Sequence, residues 1–174
     1  MKVFIDHSIF VGMHNSDEAT RIACKNFFVK NIKKEMFLSF AQVGVNDEIM
    51  WGHHSRKEQL EYYPFQDQAH TDLNVKRIPY SSKDMLAYEK IKDLNLTDLE
   101  KLTLAMVISG NGVLYTINKN LLSLNREDIF SPELMNNELK FPPVIENLYK
   151  ESMGVKISLP VKFKNKKINN FFDS

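Results

Sequence analysis

Short apolar runs alternate with amphipathic stretches along this chain. Val3-Phe4-Ile5 is apolar without alternation and stops at Asp6, the pattern of a strand buried on both faces of a parallel sheet. Met36-Phe37-Leu38 and Val113-Leu114-Tyr115 repeat it, ending at Ser39 and Thr116, and Val75 to Ile78 is a further strand stopped by Pro79. Between the strands the period becomes helical. Ala19, Ile22, Ala23 and Phe27 predict a helix over about 16–30, capped by Asn15 or Ser16 and closed by Lys30, Lys33 and Lys34. Ser39 is placed to cap a helix carrying Val43, Val45, Asp47, Glu48, Ile49 and Trp51. A helical stretch follows over about 55–72, and Pro64 is expected to kink or split it. Ser81 or Ser82 starts another, through Met85, Leu86, Tyr88 and Ile91. Thr97-Asp98-Leu99-Glu100 is a capping box opening a helix with an apolar face of Leu99, Leu102, Ala105 and Met106. Ser109-Gly110-Asn111-Gly112 closes that helix, and Asn118-Lys119-Asn120 leads into a short one.

Four strands separated by helices predict a doubly wound α/β fold, three layers deep, around a mainly parallel sheet of four to five strands. Such sheets carry their crevice at the carboxyl ends of the strands, near the point where strand order reverses. Asp6 and Thr116 both stand at strand ends. From residue 124 the character changes. Residues 125–137 read as loop and short helix, Pro142-Pro143 precedes a helix through Tyr149 broken by Gly154, and Val155 to Phe163 suits an edge strand in a lysine-rich terminus. The division is therefore an α/β domain over 1–123 and a C-terminal extension over 124–174, packed on that domain or trailing from it.

Composition narrows the setting. Lysine and arginine number 23 against 22 aspartate and glutamate, so there is no overall field for a polyanion and any nucleic-acid contact must be local. The lone cysteine, Cys24, forms no intrachain disulfide and suits a reducing cytoplasm. No apolar run approaches the roughly 20 residues of a membrane span. His53-His54 with His70 do not make a zinc spacing, since neighbours on one helix face cannot chelate together. His7 is expected to point back into the fold. The aromatic-rich stretch from Glu61 to His70 fits a core or dimer interface, or, if exposed, a stacking platform for unpaired bases beside Arg56, Lys57 and Arg77.

Val3-Phe4-Ile5-Asp6-His7-Ser8 resembles the opening of PIN-domain proteins, a hydrophobic strand ending in Asp, one residue, then Ser or Asn. Glu100 to Ala105 followed by Leu114-Tyr115-Thr116-Ile117-Asn118 is similar to that family's acidic residue, helix, strand and Thr-x-Asp/Asn. The order of elements agrees from residue 2 to about 123, about seventy per cent of the chain. The resemblance implies a PIN-like fold and a metal-dependent endoribonuclease in which Mg²⁺ or Mn²⁺ is held by convergent oxygens. Asp6 is then the chief ligand, its alternative role being an N-cap for the next turn. Asp47 is preferred over its neighbour Glu48 as the second acid, because only one of the two faces the site. Glu100 and Asp98 compete for the third position, and Asn118, where many members carry Asp, assists. Ser8 and Thr116 are the hydroxyl partners for water or phosphate. Glu at 100 and Asn at 118 depart from the strongest form of the pattern, which motivates an alternative: a catalytically weakened PIN-like domain that binds RNA or protein. A homodimer and an antitoxin-like protein partner are further implications of the resemblance. A Gly-rich phosphate loop after a strand is absent, which disfavours a nucleotide-binding protein.

Overall fold

The computed structural model describes residues 1–44 and 55–154, with the side chains of 58–65 and 152–154 left aside. The expected Asp47 and Glu48, the pair His53-His54, and the terminal strand over 155–163 lie outside the described residues.

The four predicted strands are present: β1 (Lys2–Ile5), β2 (Met36–Ser39), β3 (Val75–Ile78) and β4 (Gly112–Tyr115). A fifth, β5 (Ile129–Phe130), sits where the sequence read as loop. Two residues are too few to show a period, which is why the pattern did not reveal it. The strands form one sheet in the order β3-β2-β1-β4-β5, and every pairing is parallel. Helices α1 (His7–Gly12), α2 (Glu18–Asn31), α3 (Arg56–Asp72), α4 (Ser82–Ile91), α5 (Asp98–Ser109), α6 (Lys119–Leu122) and α7 (Pro143–Gly154) flank it. Residues 40–44 are helical as well, and Ser39 Oγ accepts the Ala41 N–H at 3.1 Å as the expected cap.

Three layers follow from how the strands divide their side chains. On one face Ile5, Met36 and Leu38 pack with Ile9, Phe10, Phe27 and Phe28 from α1 and α2. On the other, Phe4 and Leu114 pack with Ala87, Leu104 and Val107 from α4 and α5. Consecutive residues therefore serve opposite cores, the geometry that an unalternating apolar strand predicts. Close approach at the sheet's lower rim needs Gly112, where an added Cβ would lie 2.6 Å from the Phe4 ring. The adjoining turn takes its left-handed residue from Asn111, at φ 48°.

Three local expectations are corrected. The cap of α2 is Asp17, which accepts the Thr20 N–H at 2.9 Å, rather than Asn15 or Ser16. Pro64 does not split α3, which runs unbroken from Arg56 to Asp72. Instead α1 begins directly after β1, a six-residue helix that the sequence reading missed because its apolar residues merge with the strand's.

Within the C-terminal extension, residues 137–149 are fastened to α2 by buried polar groups. Asn26 brackets the backbone there, its Nδ2 donating to Asn137 O and its Oδ1 accepting the Leu139 N–H, both at 2.7 Å. Lys25, only 1% exposed, donates to Glu146 at 2.8 Å and Glu138 at 3.0 Å and lies 4.7 Å from the Tyr149 ring centroid. Burial pushes the Glu146 carboxyl up, but Lys25 and the Phe141 N–H outweigh it and hold the group below its ordinary value. Removing Glu146 leaves the buried Lys25 charge with the partly exposed Glu138 alone, whereas removing Lys25 as well leaves no buried charge. Glu146→Leu should therefore cost about 3–5 kcal/mol in urea unfolding, and the double change with Lys25→Met should recover most of it. Equal losses in the single and double variants would contradict this account of the extension.

His70 is equally buried, edge-on to Phe10 at 5.0 Å, with neither ring nitrogen hydrogen-bonded among the described residues. Burial, reinforced by nearby Arg77, pushes its imidazole down from 6.5 to about 4. Below about pH 6.5 the unfolded chain binds a proton that the folded chain refuses, so stability falls as pH drops and levels off near pH 4. The loss across that window is about 3 kcal/mol. His70→Leu should shrink the difference in unfolding free energy between about pH 7.5 and about pH 4.5; an unchanged difference would rule His70 out as its source.

Candidate functional site at the carboxyl ends of β1 and β4

The chain moves outward from β1 through β2 to β3, then returns to place β4 on the other side of β1. Strand order therefore reverses between β1 and β4, and the crevice of a doubly wound sheet belongs there. Asp6 follows the last residue of β1, and Thr116 follows the last residue of β4. Parallel register brings them together: Ile5 pairs with Tyr115, and the Asp6 N–H donates to Tyr115 O at 2.9 Å.

Asp6 occupies the N-cap position of α1 but makes no capping bond with its side chain. The residue is 8% exposed, and its carboxylate instead meets donors gathered at the carboxyl ends of β1 and β4. Oδ2 accepts the hydroxyls of Ser8 and Thr116, the latter at 2.9 Å. Oδ1 accepts Gln42 Nε2 at 2.5 Å. Each hydroxyl is oriented from behind by a backbone donor. Ile117 N–H reaches Ser8 Oγ at 3.2 Å, and Asn118 N–H reaches Thr116 Oγ1 at 2.9 Å. With those protons accepted, the single hydroxyl proton of each side chain is directed at Asp6.

Glu100 closes the other end of the same hydrogen-bond chain. Its Oε2 accepts the Thr97 N–H at 2.7 Å, completing the capping box of α5. Its Oε1 accepts the side-chain amides of Asn118 at 2.8 Å and Asn120 at 3.1 Å. Burial raises the Glu100 carboxyl, yet these donors prevail and set it below its ordinary value. Asn118 has no oxygen to offer a ligand, because its Oδ1 caps α6 by accepting the N–H groups of Asn120 and Leu121. Asp98 is exposed, and its carboxylate accepts the Tyr88 hydroxyl at 3.1 Å. Of the expected residues, Asp6, Ser8, Thr116, Asn118 and Glu100 thus share one network, while Asp98 bonds to a different partner. His7 is buried against Phe10, with ring centroids 6.0 Å apart, pointing back into the fold.

Gln42, Thr103 and Asn120 belong to the network and were missed. Gln42 donates to Thr103 Oγ1 at 2.8 Å as well as to Asp6, and accepts the His7 N–H at 2.7 Å. Its one signal in the sequence is a lone amide within the apolar stretch Phe40-Ala41-Gln42-Val43.

The donor set can be weighed against a hard divalent cation. Mg²⁺ is commonly held by one or two carboxylates, with water and substrate phosphate completing its shell. The carboxylates of Asp6, with its two hydroxyls, and of Glu100 offer oxygens of the kind such an ion takes. Among the described residues no group of three or more His, Cys, Asp or Glu side chains is placed to hold a metal. Among the described residues, too, no helix is long and apolar enough to cross a membrane.

Fold and site together define a three-layer α/β protein whose switch-point crevice is built on a buried carboxylate. The chain belongs to the family described as a family of unknown function (DUF6190), which matches residues 1–161. That match extends beyond residues 1–123 and takes in the part of the extension fastened to α2. No curated protein shows significant similarity to the chain.

Proposed function

We propose that this protein is a PIN-like, Mg²⁺- or Mn²⁺-dependent endoribonuclease that hydrolyses RNA phosphodiesters in the crevice at Asp6. The observation that carries the reading is the placement of Asp6: a buried carboxylate at the carboxyl end of the central strand, where strand order reverses. Asp6 and Glu100 would hold the ion. Once bound, it would neutralise phosphate charge and lower the pKa of a water. Ser8 and Thr116 fix the direction of the Asp6 carboxylate, and their backbone partners keep them from turning away. RNA as substrate, and a homodimer or an antitoxin-like protein as partner, rest on the PIN resemblance of residues 1–123.

A second reading has its own observation. The oxygens of Asp6 and Glu100 already accept neutral hydroxyl, amide and backbone donors, an arrangement that holds a carboxylate without a cation. On that reading the domain binds RNA or protein and does not cleave. Incubation with a mixed pool of single-stranded and structured RNA, with and without Mn²⁺ or Mg²⁺, separates the two. The nuclease reading expects metal-dependent cleavage that falls at least about 100-fold in Asp6→Asn. Absence of cleavage, or cleavage unaltered by the substitution, moves the conclusion to the binding module.

A further inference from the structure

We propose that Gln42 is the positioning residue of Asp6, and that its neutral amide sets the affinity of the crevice for a divalent cation; this rests on the metal-dependent reading above. Gln42 lies in the helical residues 40–44 immediately after β2 and is 2% exposed. Three hydrogen bonds meet on its amide, two from the β1–α1 junction through the His7 N–H and the Asp6 carboxylate and one from α5 through Thr103. Only one orientation of that amide satisfies all three. Reversed, it would set an NH₂ against the His7 N–H and a carbonyl oxygen against the Asp6 carboxylate. Thr103 is itself held, donating to Leu99 O at 2.9 Å, so the support runs back into the body of α5.

The consequence for Asp6 is geometric and electrostatic. Gln42 fixes one carboxylate oxygen while Ser8 and Thr116 fix the other, so rotating the group breaks three hydrogen bonds at once. An amide is a dipole and not a charge. It aims the carboxylate without neutralising it, whereas a lysine or arginine at this position would consume the negative charge that a cation needs. Charge count is the usual lever on affinity for hard cations, and position 42 is where this fold applies it.

Calorimetric titration of the full chain with Mn²⁺ tests the inference, with circular dichroism and Tm recorded for each variant. Gln42→Glu adds a second carboxylate beside Asp6 and should bind Mn²⁺ at least about tenfold more tightly than the wild type. Gln42→Met keeps the bulk but lacks the donor and should bind about tenfold more weakly or worse. A residue that merely packs would lower Tm in both variants and leave Mn²⁺ affinity within about twofold of wild type, and that result overturns the inference. Asp6→Asn distinguishes the two levels. Loss of wild-type Mn²⁺ binding in that variant together with the opposed Gln42 effects supports both. A wild type that binds no Mn²⁺ overturns the metal-dependent reading and the inference with it, even if Gln42→Glu gains binding. Wild-type binding lost in Asp6→Asn but unmoved by either Gln42 variant overturns the inference alone.

Discussion

The carboxylate of Asp6 is the constraint on which the rest of the crevice depends. Four separate pieces of chain converge on it: the start of α1 through Ser8, the end of β4 through Thr116, the helical residues after β2 through Gln42, and α5 through Thr103 behind Gln42. Parallel pairing of β1 with β4 is what makes the convergence achievable, because it sets the carboxyl ends of two strands side by side at the reversal of strand order. A buried charge is tolerated only where its oxygens are fully hydrogen-bonded, and here the donors come from elements far apart in sequence. The network therefore ties the sheet to the helical layer carrying α5, and it places a negative charge where a doubly wound sheet presents its ligand.

Legibility in the sequence followed how local each signal was. Strands β1, β2 and β4 announce themselves because burial on both faces forces an unbroken apolar run, and the Thr97–Glu100 capping box is contained within four residues. The position of Asp6 at a strand end was equally local. Gln42 was not, because nothing in its neighbourhood distinguishes a glutamine that meets a carboxylate 36 residues away from one that meets water. Asn118 shows the converse. Its residue type suited a ligand, but the backbone of α6 claims its oxygen, and only the fold reveals which of two partners prevails. Lys25 gave no signal at all: in sequence it is one more helical lysine, and in the fold it is the buried fastening of the extension.

Two features of the crevice pull in different directions. The hard oxygen donors and the switch-point location motivate the proposed cation, while the side-chain amides of Gln42, Asn118 and Asn120 already serve the same carboxylates. The amides of Asn118 and Asn120 orient the Glu100 carboxylate at little electrostatic cost and can be displaced by an ion that returns more energy than two neutral hydrogen bonds, while Gln42 keeps its hold on Asp6. On the proposed metal-dependent reading the donor network is organised before any ligand arrives, and binding an ion would require exchange of partners and not assembly of a site.

The most direct test of that account is crystallographic: crystals of the full chain grown with Mn²⁺, with diffraction measured where manganese scatters anomalously. The account predicts an anomalous peak bonded to Asp6 and Glu100, with Gln42 still against Asp6. A crevice without such a peak, its carboxylates still held by Ser8, Thr116, Asn118 and Asn120, would contradict it.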